Sequence, residues 1–170
     1  MSDYTSVLSA AQVLPEPDRL RLIDALSHTG VRRIEAVSFV HPKAIPQMAD
    51  TAYVLDNINW KESKTKLSVI VANTRGAKNA CVFKQINYLG YPFSISETFQ
   101  QRNTNSDMKK AVKTLKSIKQ ITEDNGKEFV GYLSMAFGNP YGDPWSKDIA
   151  EHWVGELEKL AVKYISLSDT

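Results

Sequence analysis

The sequence predicts an α/β protein built on a parallel sheet with covering helices. Three observations predict it. Strand-like segments alternate with segments of helical periodicity along the 170 residues, the order expected of strand–helix–strand units. The strand segments read apolar on both faces, as in Leu67-Ser68-Val69-Ile70-Val71-Ala72, which suits strands covered on both sides. Polar side chains gather near the strand ends, at Glu35 and Ser38, Asn73, Ser96 and Glu97, Asn139 and Asp169. In parallel α/β folds chemistry lies outside the carboxyl ends of the strands, although loops are polar in any case.

The elements follow in order. A first helix is expected to begin near 15–18, where prolines and acids crowd the first turn, with Leu20, Ile23 and Leu26 on its apolar face and Gly30 as its stop. Residues 34–40 read as a β-branched strand ended by His41-Pro42, because proline disfavours continuation. A helix over 49–58 precedes the strand 67–73, the turn Asn73-Thr74-Arg75-Gly76 and a short helix from Ala77. Gly90-Tyr91-Pro92 is expected to break the chain before a short strand at 93–96, with a polar loop at 100–105. A helix over 106–124, a strand over 129–136 and a loop rich in turn formers at 138–144 come next. The helix 146–162, with Ile149, Trp153, Leu157 and Leu160 on one face, and a strand at 164–167 complete the pattern.

Composition narrows the function classes. With 42% hydrophobic and 24% charged residues, the chain has the make-up of a soluble protein and the length of one domain. Its 21 basic and 19 acidic side chains leave a net charge of +2, so neither nucleic acid nor a membrane surface is an expected partner. The lysines of 109–119 interleave with Met108, Val112, Leu115 and Ile118 at helical spacing and read as the wet face of an amphipathic helix. A single cysteine, Cys81, excludes an intrachain disulfide and a multi-cysteine zinc site. Beside Ala77 and Ala80 it reads as a small buried hydrophobe. Apolar runs are strand-sized and no signal peptide is visible, so a cytoplasmic location is expected.

The strand–helix order alone leaves two architectures open, a doubly wound open sheet and part of a closed barrel. No Gly-x-Gly-x-x-Gly turn or Walker loop follows any strand, which counts against a nucleotide-binding open sheet without deciding the matter.

Several motifs in fixed order go further. They are Leu22-Ile23-Asp24-Ala25-Leu26 with Gly30, then Ile34-Glu35-Ala36-Val37-Ser38-Phe39-Val40, His41-Pro42-Lys43 and Ile45-Pro46-Gln47-Met48-Ala49-Asp50. Ala72-Asn73-Thr74-Arg75-Gly76 and Ser94-Ile95-Ser96-Glu97-Thr98-Phe99 with Asn103 and Asn105 follow, then Gly138-Asn139-Pro140-Tyr141 and Ser166-Leu167-Ser168-Asp169-Thr170. In these the chain resembles the hydroxymethylglutaryl-CoA lyases, within the metal-dependent pyruvate-carboxyltransferase-like barrels. The match runs over 19–170 of a single domain and leaves 1–18 unmatched. The resemblance implies a partial (β/α)₈ barrel holding about strands two to six with their helices. It implies an acyl-CoA substrate, 3-hydroxy-3-methylglutaryl-CoA, cleaved to acetyl-CoA and acetoacetate with the help of Mg²⁺ or Mn²⁺, as in leucine degradation and ketone-body metabolism.

The same comparison exposes departures. The family's first strand carries an Arg-Asp pair, the Asp on the metal and the Arg on the developing enolate. The corresponding segment, Ser6-Val7-Leu8-Ser9-Ala10-Ala11-Gln12, has neither. The family's His-x-His, its Asn ligand and its catalytic Cys loop have no counterpart among His28, His41, His152 and Cys81, so no metal ligand is recognisable. Asn139 stands where many relatives have Cys. On this basis the chain reads as an incomplete, inactive barrel, a fragment or the product of a damaged or misread gene, because an open barrel exposes its sheet edges. Isopropylmalate- or homocitrate-synthase-like condensation, and a non-catalytic half-barrel that associates with a complementing chain or a second copy, are the alternatives.

By the resemblance, Glu35 is the candidate catalytic carboxylate that orients the acyl group, and a carboxylate within an apolar strand needs such a reason. Ser38, Asn73, Ser96, Glu97, Asn103, Asp169 and Thr170 are candidate substrate contacts. Ser38 lies three residues beyond Glu35 and would face the other way unless the strand bends. Asn73 could serve the turn instead, and Asp169 and Thr170 could fray.

Overall fold

In the computed structural model, which describes residues 4–8, 14–41, 43, 45–60 and 63–169, six parallel strands lie side by side in chain order. They are β1 (Tyr4–Ser6), β2 (Arg33–Phe39), β3 (Lys66–Val71), β4 (Ile86–Ser94), β5 (Glu128–Ser134) and β6 (Tyr164–Leu167), and each pairs with its sequence neighbour. This order settles the architecture. A doubly wound sheet reverses its strand order at a switch point, whereas here every crossover steps to the next strand, as in a (β/α)₈ barrel. The molecule is a half-barrel, with β1 and β6 as its edges among the described residues.

The helices α1 (Glu16–Ser27), α2 (Thr51–Asn57), α3 (Thr74–Cys81), α4 (Glu97–Thr104), α5 (Met108–Asp124) and α6 (Lys147–Lys159) connect the strands, with a 3-10 turn at Pro46–Met48. The expected apolar faces are those that pack. Ile23 of α1, Leu115 and Ile118 of α5 and Leu157 of α6 are buried with Ile34, Val37, Leu67, Val69, Leu89 and Leu133 of the strands. Trp153 of α6 lays its ring 4.9 Å from Phe93, and His152 is exposed. Cys81 is half-buried, its thiol pushed up by burial. The α3 helix crosses β2 closely at Gly76, where a Cβ would lie 2.5 Å from the Phe39 carbonyl oxygen.

Three expectations are corrected. A first strand is present, at Tyr4–Ser6, paired in register with Arg33, Ile34 and Glu35; at three residues it is too short to show a period. Gly90-Tyr91-Pro92 does not break the chain but forms the centre of β4, nine residues long. Its β3 partners end at Gly90, so on that side the missing Pro92 N–H removes no ladder bond. The polar 100–105 stretch is not a loop. It is the body of α4, capped by Ser96, whose hydroxyl accepts from the Phe99 amide, and closed by Asn105 in a left-handed conformation at φ 49°.

Candidate active site

On the inner side of the sheet lies a trough of about 1290 Å³. Strand interiors form its floor, and the ends of β2 and α4 and the segment leading into α5 form its rim. Glu35, Ser38, Asn73 and Asn103 all line it. Glu35 and Ser38 share this face because the β2–β3 register slips: Glu35 opposes Ser68, but Val37 opposes Val69. The extra residue bends the strand and turns Ser38 inward, as a bulge does.

Glu35 is 4% exposed, so its carboxylate must be satisfied from within. Ser6 Oγ donates to Oε1 at 3.2 Å and Tyr132 OH donates to Oε2. The Tyr4 and Tyr132 hydroxyls lie 3.3 Å apart, extending the network to β1. Burial and then the Glu35 charge push the Tyr4 phenol up to about 12, and the same two causes push Tyr132 higher still. Both hydroxyls therefore stay protonated and available as donors. Tyr132 reaches Glu35 from three strands away because its ring lies across Gly90, where a Cβ would collide with Tyr132 Cε2. Beneath this layer the Arg33 guanidinium sits over the Tyr4 ring at 4.6 Å and the Tyr88 ring at 5.2 Å.

Ser38 is 4% exposed, and its hydroxyl has no hydrogen-bond partner among the described residues, an arrangement suited to meeting a ligand. Asn73 lines the trough, but its Oδ1 also caps α3 by accepting from the Gly76 amide at 2.9 Å. The remaining candidates stand apart. Ser96 is buried at the start of α4, donating to Asp143 at 2.5 Å, and is not part of the trough wall. Glu97 is exposed on the first turn of α4, and Asp169 is exposed beyond β6, where Ser166 and Ser168 line the trough instead. Thr170 lies outside the described residues. The trough also holds Tyr4, Ser6, Tyr132, Arg102 and Lys110, which reading the sequence alone did not single out. Alternation along β5 from Ser134 marks Tyr132 as inward-facing, and that is the signal that could have found it.

Known proteins resemble this chain in sequence and in fold. A mouse (Mus musculus) protein named hydroxymethylglutaryl-CoA lyase, mitochondrial, is 32% identical over 160 residues, 93% of this chain and 48% of its own length. A Pseudomonas aeruginosa protein named 3-hydroxy-3-isohexenylglutaryl-CoA/hydroxy-methylglutaryl-CoA lyase is 32% identical over 161 residues, 94% of this chain and 52% of its own. Among solved structures, the Bacillus subtilis HMG-CoA lyase superposes with a TM-score of 0.85 at 30% identity, over 92% of this chain and 52% of that one. An HMG-CoA lyase from Acinetobacter baumannii, in complex with coenzyme A and 3-methylmalate, gives 0.88 at 27% identity, over 98% and 55%. The chain belongs with the hydroxymethylglutaryl-CoA lyases, as a partial barrel. It spans about half the length of the relatives it matches. No family model matches.

A hydroxymethylglutaryl-CoA lyase fold implies a divalent metal, and the residues described do not fit one. No three of His, Cys, Asp and Glu gather among them. Glu35 is the single carboxylate among the described lining residues, and its two oxygens are bonded to Ser6 and Tyr132. The segment 6–12, which the resemblance matches to the family's Arg-Asp strand, contains neither residue. Magnesium needs several oxygen donors in near-octahedral array, which one occupied carboxylate does not supply. No helix of the described residues is long and apolar enough to cross a membrane.

Proposed function

We propose that this chain forms the acyl-CoA-binding part of a hydroxymethylglutaryl-CoA lyase-type carbon–carbon lyase, and that the 170-residue polypeptide by itself does not turn substrate over. The observation that supports the reading is the convergence of Glu35, Ser38, Asn73 and Asn103 on one trough at the carboxyl side of the sheet. Cleavage of 3-hydroxy-3-methylglutaryl-CoA removes the tertiary hydroxyl proton and breaks the bond between the hydroxyl-bearing carbon and the thioester-bearing CH₂. The electron pair goes to a thioester enolate, a proton returns to give acetyl-CoA, and the hydroxyl-bearing carbon becomes the ketone of acetoacetate. Glu35, held at both oxygens, orients the acyl group. Ser38 donates its free hydroxyl to a ligand oxygen, and Asn103 and Arg102 meet the CoA side at the rim. Asp169 and Thr170 face the substrate, as the resemblance implies, only where further strands enclose them.

Among the described residues the enolate finds no free cation in the interior, since Arg102 and Lys110 of the trough are exposed on α4 and α5 and Arg33 is engaged by two tyrosine rings. Loss of one electrostatic group of this kind lowers rates by on the order of 10²–10³, and here the metal donors are missing as well. A coupled acetoacetate assay with the purified chain, Mg²⁺ or Mn²⁺ and substrate is expected to show no turnover above background, while calorimetry shows binding of coenzyme A. Turnover that scales with protein and disappears in Glu35→Ala would overturn the inactive reading, and absence of coenzyme A binding would overturn the acyl-CoA reading. A second reading rests on the two parallel edges, β1 and β6, that are unpaired among the described residues, namely a half-barrel completed by another chain; elution as a monomer in size-exclusion chromatography would count against association with itself. No feature of the trough favours the condensing enzymes. Relatives are named as mitochondrial and as cytoplasmic, and we propose the cytoplasmic location from the strand-sized apolar runs.

A further inference from the structure

The loop between β5 and α6 is ordered by its own side chains. Asn139 Oδ1 accepts from the amides of Tyr141 at 3.0 Å and Asp143 at 3.1 Å, and Asn139 Nδ2 donates to the Asp143 carbonyl oxygen at 3.0 Å. This local closure fixes Asp143, whose carboxylate reaches the start of α4. There it accepts from Ser96 Oγ at 2.5 Å, the Thr98 amide at 2.9 Å and Thr98 Oγ1 at 2.8 Å. Hydrogen bonds to an ionised group are the strong ones. They hold the Asp143 carboxyl below its ordinary value, Ser96 contributing most.

A second contact joins the same loop to the far half of the helix. The Tyr141 ring stacks on Phe99 with centroids 6.2 Å apart, and the Arg102 guanidinium lies 4.8 Å from the Tyr141 ring centre. Arg102 and Asn103 line the trough; Asn139, Tyr141 and Asp143 do not. The α4 helix has eight residues, of which only Gln100 is buried. A helix that short does not hold its own shape in water, so its order and direction come from what grips it.

We propose that Asn139, Tyr141 and Asp143 are positioning residues that clamp α4 at its first turn and at Arg102, presenting Arg102 and Asn103 to the anionic part of a ligand in the trough. The clamp sets ligand affinity by pre-ordering the rim, since side chains that are already fixed lose less freedom on binding. The ligand assignment rests on the acyl-CoA reading above.

The test uses coenzyme A as the probe, with calorimetric Kd measured well below each variant's Tm, and amide hydrogen exchange across 97–104 in the free protein. Asp143→Ala is expected to weaken coenzyme A binding by on the order of tenfold and to speed exchange through Arg102 and Asn103 as well as at Thr98. Asp143→Asn, which keeps an acceptor for the Thr98 amide, is expected to recover part of both. Tyr141→Leu is expected to weaken binding while leaving the Thr98 amide protected. A lowered Tm in Asp143→Ala with unchanged Kd and unchanged exchange at 102–104 would make the clamp purely structural and overturn the proposal. If the unaltered chain does not bind coenzyme A, the acyl-CoA reading falls and exchange decides the clamp: faster exchange at Arg102 and Asn103 supports it, and unchanged exchange overturns it.

Discussion

Deleting one oxygen, in Tyr132→Phe, isolates the bond that ties the two sides of the half-barrel interior together. The ring stays where it is, lying across Gly90, so the packing contribution is kept. What is lost is the donor to Glu35 Oε2. Glu35 is 4% exposed, so water is a poor replacement, and a hydrogen bond to a charged group contributes about 1.5–3 kcal/mol. The Tyr4–Tyr132 contact at 3.3 Å is long and adds little. A loss of about 2 kcal/mol is therefore expected, or roughly 4–8 °C in Tm for a domain of this size. Urea unfolding followed by circular dichroism and tryptophan fluorescence measures it, coincident transitions establishing two-state behaviour. In a double-mutant cycle with Glu35→Leu, most of the loss should appear as coupling. A loss below about 0.5 kcal/mol, well under the usual value of a charged hydrogen bond, or strict additivity in the cycle, would refute the account of Glu35 as a carboxylate satisfied from within.

Other expectations follow from the same geometry. Gly90→Ala should drive the Tyr132 ring from its seat and cost about 1–3 kcal/mol by overpacking; a unfolding midpoint unchanged from the parent would contradict this. Gly76→Ala places a Cβ 2.5 Å from the Phe39 carbonyl oxygen, a backbone atom that cannot swing aside, so a loss at least as large is expected in the same measurement. Burial raises the Tyr4 and Tyr91 phenols from 10.0 to about 12. Because the folded chain resists their ionisation, their contribution is fully present below pH 10 and is lost as pH rises toward 12. Urea midpoints should fall across that window, and Tyr4→Phe and Tyr91→Phe should each flatten the fall.

Much of the fold was legible because long periodic elements announce themselves. The 17 residues of α5 show their apolar face in the spacing of Leu115 and Ile118, and β3 reads as a continuous apolar run. Short elements did not, because three residues of β1 and eight of α4 hold too few positions to establish a period. Glycine and proline misled in β4, where Gly90 serves the close approach of Tyr132 and Pro92 lies beyond the β3 ladder. Of the motif residues, Glu35, Ser38, Asn73 and Asn103 line the trough while Ser96, Glu97 and Asp169 do not, and residues that act across strands were not singled out. Alternation along β5 marks Tyr132 as inward-facing but does not give its partner, and Ser6 and Asp143 carry no local signal; each acquires its role from a residue between 29 and 97 positions away.

The sequence by itself determined the parallel α/β class, the family resemblance, the candidate set that includes Glu35, Ser38, Asn73 and Asn103, and the lack of Arg and Asp in the segment 6–12. These are properties of spacing and side-chain chemistry, which need no coordinates. Only the tertiary structure decided between open sheet and barrel, through the unbroken strand order. It turned Ser38 to the same face as Glu35 through one slipped register, and it assigned Ser96 to the cap of α4. Pairing register and the reach of one strand's side chain to another are set by long-range contacts, and a residue's neighbours in the chain do not encode them.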